Sequence, residues 1–337
     1  MNTAADLGIV VIGRNEATRL DACFDALPCA ATPMVYVDSG SNDDSPEIAE
    51  RRGVRVIRLS TGPYTAARGR QIGFEDLCMR YPGLQYVQFV DGDCILASGW
   101  IERAAAFLTG HAQAAVVTGR LRERRAGASL LIRLVDVEWD LPIGEIDAVG
   151  GISLARVAAI RDVGGWLTEL VAGEELDLSA RLRARGWQLF RLPDDMALHD
   201  IGIRAFGELW RRAVRAGFSY AQLALRHGAH GYRRWARRAV GNVAYGALLP
   251  LLALTLLAVW RPGAVIVALV YVVLVLRIAW GRIRRGDAPP FALLYGVVLT
   301  VCKVAAAIGT FQLLLTRVSG RRARLIEYKS SPAPGGH

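Results

Sequence analysis

The sequence predicts an α/β fold followed by a C-terminal helical membrane region. Two observations carry the first half of that statement. Short apolar runs alternate with amphipathic stretches over the first ninety residues, and each run ends in a polar turn. The second half rests on long stretches without charge beyond residue 238, flanked by arginines.

Taken in order, GIVVIG (8–13) reads as a buried strand, and ATRLDACFDAL (17–27) as a helix with Leu20, Phe24 and Leu27 on one face. MVYVD (34–38) is a second strand and SPEIAERRG (45–53) a helix closed by glycine. VRVIRL (54–59) is a third strand, 65–81 a helix, and QYVQFVD (85–91) a fourth strand. Such alternation predicts a parallel sheet with helices on both faces, and ligands of such sheets bind at the carboxyl ends of the strands. Asn15, Glu16, Asp38, Asp91 and Asp93 then project from one edge. An Asp-Gly-Asp after a strand is also ordinary turn chemistry. The convergence on one edge is what a turn alone leaves unexplained.

Hydrophobic residues make up 53% of the 337, the mean hydropathy is +0.27 and the net charge is +10. That charge is unevenly placed. From Arg226 onward there are 16 Lys+Arg and 2 Asp+Glu, leaving 25 against 29 in the first 225 residues. A mildly acidic front and a basic, apolar back point to a membrane surface rather than to nucleic acid. Cys23, Cys29, Cys78, Cys94 and Cys302 are scattered, with no C-x-x-C, which argues against a disulfide framework or a zinc ribbon and fits a reducing compartment. The N-terminal lead is acidic and its apolar run too short for a signal peptide.

Ala239 to Trp260 carries no charge and is long enough, at about 1.5 Å per residue, to cross a core of roughly 30 Å. A turn at 261–263 leads into a second apolar stretch, 263–281. Arg233, Arg234, Arg237 and Arg238 precede the hairpin; Arg282, Arg284 and Arg285 follow it, which makes that side cytoplasmic. A third stretch, 291–316, is split by Lys303, with Gly296, Thr300, Lys303, Ala307 and Thr310 on one helical face. Its length suits a span. The basic tail (Arg317, Arg321, Arg322, Arg324) suits an interfacial helix with a cytoplasmic tail. The expected organisation is a catalytic domain at 1–225, a basic linker at 226–238, the hairpin at 239–281, the third helix at 291–316 and a basic tail at 317–337.

A dinucleotide dehydrogenase is a poor fit, because GRNEA after the first strand lacks G-x-G-x-x-G, and no P-loop is present. The D-x-D of aspartyl-phosphate phosphatases follows the first strand; here it follows the fourth and leads into Cys94 and Ile95.

The order of motifs resembles the family-2 glycosyltransferases, with their GT-A fold. GRNEATRL, VDSGSNDDS, AARGRQIGFE, VDGDC, then DVGGW and GEELDLSARLRARGW match that family's pattern in sequence, over roughly residues 7–220. The resemblance implies a nucleotide-diphosphate sugar held by Asn15, Glu16, Asp38, Arg68 and Asp91, with Asp38 accepting from the base and Arg68 near the nucleotide or its phosphates. It implies a Mg²⁺ or Mn²⁺ ion bound by Asp93, with Asp91 and His199 as further candidates; hard divalent ions take carboxylate oxygens and share their shell with substrate phosphates. Gly92, between the two aspartates, is expected to leave room for the diphosphate. Glu175 is the favoured base and Glu174 the alternative, where the family often has Glu-Asp. Gly151 and Trp210 are the acceptor-side candidates.

Processive synthases of this family carry Q-x-x-R-W, and the nearest string here, GYRRW at 231–235, has glycine in the first place. The expectation is therefore inverting transfer of one sugar to a lipid or lipid-linked glycan, at the cytoplasmic face of a bacterial-type inner membrane, in envelope or exopolysaccharide synthesis. A polyprenyl-phosphate glycosyl synthase is the alternative, and a non-catalytic assembly subunit a distant one.

Overall fold

The structure, a computed structural model, describes residues 6–28, 32–231 and 233–319, and side chains outside 228–234. Cys29, the arginines at 321, 322 and 324, and the side chains of 231–234 within GYRRW, those of Arg233 and Arg234 included, lie outside these described residues. The chain forms two compact units that divide between Arg204 and Ala205. The segment 205–225, expected in the catalytic domain, falls in the second unit.

The first unit is built on nine strands: β1 (Leu7–Gly13), β2 (Met34–Asp38), β3 (Arg55–Arg58), β4 (Tyr86–Asp91), β5 (Cys94–Leu96), β6 (Ala114–Glu123), β7 (Gly144–Glu145), β8 (Ser153–Arg156) and β9 (Gln188–His199). Among the described residues seven α-helices accompany them: α1 (Ala17–Asp25), α2 (Ser45–Arg51), α3 (Ala66–Arg80), α4 (Trp100–Gly110), α5 (Leu130–Asp136), α6 (Val157–Asp162) and α7 (Glu174–Ala184). The sheet order is β3-β2-β1-β4-β8-β6-β9-β5, with β7 on β9. From β3 to β4 every pairing is parallel, as the alternating pattern predicts. Beyond β4 the sheet is mixed: β8 runs antiparallel to both β4 and β6, and β5 antiparallel to β9.

β1 is buried along both faces, which is why GIVVIG reads as a continuous apolar run. Its side chains alternate between two cores. Ile9 and Val11 join Leu20, Phe24, Trp100 and Leu108 on one side, while Val10 and Ile12 join Phe74, Leu77, Phe89 and Trp166 on the other. Helix α3 lies close on that second face because Gly73 stands where a Cβ would come 2.5 Å from Val10 Cγ1. Its start is capped by Thr65, whose hydroxyl accepts from the Arg68 amide at 3.2 Å.

The second unit contains α8 (Phe206–Gly231), α9 (Arg233–Val243), α10 (Leu249–Val259), α11 (Arg261–Ile283) and α12 (Pro289–Val318), with one π-helical turn at Ala244–Leu248 joining α9 to α10. Among the described residues, three helices are long and apolar enough to cross a membrane: Trp235–Val259, Arg261–Ile283 and Pro289–Val318. Small residues let the backbones meet. A Cβ at Gly309 would overlap the Val214 carbonyl, and one at Gly217 the Ala306 carbonyl, so α8 packs directly on α12. That contact takes 206–225 out of the first unit. On α12, Gly296, Thr300, Ala307 and Thr310 are buried, whereas Leu293, Val297, Val301, Phe311 and Leu315 are exposed. Lys303 Nζ donates to Asn242 Oδ1 at 3.2 Å, and Thr310 Oγ1 to the Gly217 carbonyl at 3.3 Å. The polar stripe seen in the sequence therefore faces protein.

Gly73→Leu is expected to cost about 1–3 kcal/mol by overpacking α3 on β1, read as a lower midpoint of unfolding for the full chain in neutral detergent. Gly83→Ala, where nothing lies within 4 Å, is expected to stay within about 0.5 kcal/mol of the parent.

Candidate active site

Strand register sets the site. Gly13 at the end of β1 pairs with Asp38 on one side, and its neighbour Ile12 with Asp91 on the other. Both aspartates thus leave the sheet at one edge. Asp38 is buried and folds a turn around itself. Its Oδ2 accepts from the Gly40 and Ser41 amides at 3.1 and 3.0 Å, and its Oδ1 from the Ser41 hydroxyl at 2.5 Å. Asn15, in the left-handed region at φ 57°, ties this turn to the end of β1: its amide donates to Ser41 Oγ at 2.9 Å and its Oδ1 accepts from the Asn42 amide at 2.8 Å. The Glu16 amide donates to Ser45 Oγ at 2.8 Å, and its carboxylate pairs with Arg19 at 2.7 Å. These two residues therefore shape the turn that surrounds Asp38.

The centre of the edge is Arg70, which sequence reasoning passed over in favour of Arg68. Its side chain is only 3% exposed and meets three carboxylates: Asp91 Oδ1 at 2.7 Å, Glu175 Oε1 at 2.7 Å and Glu174 Oε1 at 3.3 Å. Arg68 instead is half-buried, off the face that carries Arg70, and donates to the Thr61 carbonyl. The signal was available in the spacing. Ala67, Arg70, Gly73, Phe74 and Leu77 share the buried face of α3, and a count by three and four reaches Arg70, not Arg68. Gly151 stands over this clamp, where a Cβ would run into the Arg70 guanidinium and come 3.2 Å from Asp91 Oδ2.

Glu174 and Glu175 open α7, after Gly173 at φ 78°, with Asp177 also in the first turn. Negative charge there suits the helix dipole. Asp177 is taken by Arg181 at 2.7 Å. Glu174 is 6% exposed and Glu175 21%, so Glu175 is the one open to an incoming molecule. Burial, then repulsion from Glu174, pushes the Glu175 carboxyl above its ordinary value, against the pull of Arg70.

A second group lies beside the clamp. Antiparallel pairing sets Cys94 of β5 opposite His199 of β9, and parallel pairing sets Glu123 of β6 on the other side of His199. His199 Nε2 reaches Asp93 Oδ2 at 3.4 Å, and its Nδ1 lies 3.8 Å from Glu123 Oε2. Candidate ligand atoms of Asp93, Cys94 and His199 fall within 4.8 Å of one another. Burial and Asp93 push the Cys94 thiol well up, and for a hard ion such as Mg²⁺ or Mn²⁺ the carboxylate and imidazole are better suited donors than a soft thiol. Asp91 is turned to Arg70 rather than into this group. The Trp139 ring stands edge-on to His199, with centroids 5.1 Å apart. Neither Glu123 nor Trp139 carried a sequence signal. Gly92 is buried, and a side chain there would point inward, 3.3 Å from Leu20 Cδ1, so its bareness serves the packing of α1 rather than an approaching diphosphate. Trp210 belongs to the second unit, where its ring lies 6.3 Å from that of Phe206.

Two outcomes follow from the clamp. Arg70→Met strands three carboxylates and is expected to destabilise by about 3–5 kcal/mol, whereas Arg68→Ala is expected to cost less than about 1 kcal/mol; unfolding midpoints in detergent compare them. Because Glu175 is harder to ionise folded than unfolded, the folded state holds more protons above about pH 4.3. Its contribution to stability is complete below that pH and is lost as pH rises through the raised value. The melting temperature of the parent is expected to fall relative to Glu175→Gln across that window, and parallel curves would refute the shift.

Comparison with known proteins agrees with this geometry. Residues 8–131 match the model of the glycosyl transferase family 2. The chain is 23% identical over 239 residues to glycosyltransferase AglE of Haloferax volcanii, covering 66% of this chain and 75% of that one. It is 30% identical over 243 residues to the pre-mycofactocin glycosyltransferase of Mycobacterium tuberculosis, covering 66% of this chain but only 48% of that protein. Among solved structures, the mannosyltransferase PcManGT of Pyrobaculum calidifontis, in complex with GDP-Man and Mn²⁺, aligns with a TM-score of 0.62 at 18% identity, over 91% of this chain and 87% of its own. Residues 8–131 thus form a family-2 glycosyltransferase region, and the first unit has the GT-A fold.

Proposed function

We propose that the protein transfers a single sugar, with inversion, from a nucleotide-diphosphate sugar to a lipid or lipid-linked glycan at the cytoplasmic face of a membrane, in envelope or exopolysaccharide synthesis. The observation that carries this reading is the single sheet edge where Asp38, Asp91, Asp93, His199 and the Arg70-bound glutamates gather. The nucleotide and ion in the PcManGT complex support it. Asp93 and His199 would hold a Mg²⁺ or Mn²⁺ ion, for which a carboxylate and an imidazole are suitable donors, and such an ion offsets negative charge on a departing diphosphate.

The protein's own groups have separable tasks. Asp38, fixed by Ser41 and two amides, keeps lone pairs for a nucleobase N–H, with Asn15 and Glu16 holding its turn in place. Arg68, off the face of α3 that carries Arg70, is placed for the nucleotide or its phosphates, and Asp91 for the ribose. Arg70 orients Glu175 so that its carboxylate takes the proton from an acceptor hydroxyl as the sugar bond forms; Glu174, more deeply buried, holds the arginine. Gly151 and Trp210 remain the acceptor-side candidates. The three apolar helices would form a multi-pass membrane region, and the buried polar stripe of α12 supports a span over an interfacial helix.

A second reading has its own support. Glu175 is a carboxyl that resists ionisation, and an acceptor that already carries a phosphate needs no base. This points to a polyprenyl-phosphate glycosyl synthase. Purified full-length enzyme, a panel of radiolabelled sugar nucleotides with Mn²⁺, and membrane-lipid extract or polyprenyl phosphate separate the two. Asp93→Ala is expected to abolish transfer with either acceptor. Glu175→Gln is expected to lose about 10²–10⁴-fold with a hydroxyl acceptor and little with polyprenyl phosphate. Full transfer by both variants would overturn the assigned roles, and long polymer from one donor would overturn single-sugar transfer.

A further inference from the structure

Within the second unit, a cavity of about 380 Å³ is lined by Arg237, Arg238, Gly241, Tyr245, Leu274 and Lys303. It brings three cations from α9 and α12 against the apolar wall of α11. Among the described residues none of the three makes an ion pair. Arg238 stacks over the rings of Trp235 and Tyr220, at 5.1 and 5.3 Å, and donates to the Tyr220 hydroxyl at 3.1 Å. Lys303 finds only a neutral acceptor, the buried Asn242 amide, whose own Nδ2 is buried without a hydrogen-bond partner. Cations gathered in one pocket repel, and near a bilayer they are costly unless something negative joins them.

The place of the cavity in the chain says what that anion is. Arg237 and Arg238 immediately precede the uncharged run from Ala239 to Trp260, and Lys303 lies level with Asn242 at the start of that run. Arg237 and Arg238 are then at headgroup depth for a helix that crosses, and Lys303, beside Asn242 about one turn deeper, snorkels up toward them, with acyl chains free to follow the exposed apolar surface of Leu251, Leu254 and Leu269. The Tyr245 side chain adds a polar wall and Gly241 leaves the floor open, since nothing lies within 4 Å of a Cβ there. The volume is near the lower end, about 300 Å³, of small-molecule sites.

We propose that this cavity binds the phosphate headgroup of an anionic membrane lipid, with Arg237, Arg238 and Lys303 sharing its charge. The site shares no residue with the sheet-edge constellation and does not depend on which acceptor that constellation serves. A basic pocket between transmembrane helices on the cytoplasmic side suits this chemistry.

The test uses the full chain in neutral detergent, followed by thermal unfolding while phosphatidylglycerol, phosphatidylcholine or inorganic phosphate is added. Phosphatidylglycerol is expected to raise the melting temperature saturably; the other two are expected to leave it unchanged at equal concentration. Arg237→Gln, an exposed position whose loss leaves packing intact, is expected to weaken the half-saturation point about five-fold. Lys303→Gln is expected to do the same, and Arg261→Gln, at the opposite end of the hairpin, to have no effect. The proposal is overturned if phosphatidylglycerol gives no saturable shift, if phosphatidylcholine or inorganic phosphate matches it, or if Arg237→Gln and Arg261→Gln behave alike.

Discussion

Arg70 joins three parts of the chain that are far apart in sequence: its own helix α3, the end of β4 through Asp91, and the first turn of α7 through Glu174 and Glu175. A buried guanidinium is tolerated only where carboxylates surround it, and carboxylates this close to one another are tolerated only around such a cation. Each partner therefore requires the others. The cluster still carries more negative than positive charge, and that surplus adds to burial, the larger cause, in making Glu175 reluctant to ionise. It also leaves an electronegative floor beside Asp93 and His199, which is the electrostatic setting a divalent cation needs.

The first half of this arrangement was legible in the sequence because it is local. Strands such as GIVVIG and MVYVD announce themselves by composition, the polar residue that ends each one marks the sheet edge, and parallel order then brings those ends together. Arg70 was legible too, by helical counting, yet the motif drew attention to Arg68, two residues and a little over half a turn away. The second half of the sheet was not legible. β5, β7 and β8 are two to four residues long and exist only through pairing with distant partners. Glu123 has the same cause: in LRERR it is one charge in a charged run, and only the alignment of β6, β9 and β5 puts it beside His199.

In the second unit, length and hydropathy identified the apolar helices, but the wheel of α12 was open to two interpretations. A stripe of Gly, Thr, Lys and Ala on an apolar helix fits a water-facing side or a protein-facing side equally well by composition. Packing decides between them. Small residues let α8 and α12 approach until backbone meets backbone, and the Thr310 hydroxyl and the Lys303 amine on that stripe find partners in neighbouring helices. Charge statistics along the chain could not contain that information, because it lies in how helices distant in sequence fit together.

The pairing of β9 carries one more implication. Between its partners Thr118 and Leu121 on β6, β9 advances from Arg191 to Ala197, so it spends six residues where β6 spends three. The strand is thereby divided into two phases. Its first part keeps step with the hydrophobic core, and its last part is set independently to place His199 in line with Glu123 and Cys94. A slack of this kind uncouples the two tasks. Side chains in the core-facing segment can drift over generations without disturbing the imidazole, while gain or loss of one residue after the irregularity would turn His199 to the opposite side of the sheet and leave Asp93 with no imidazole beside it.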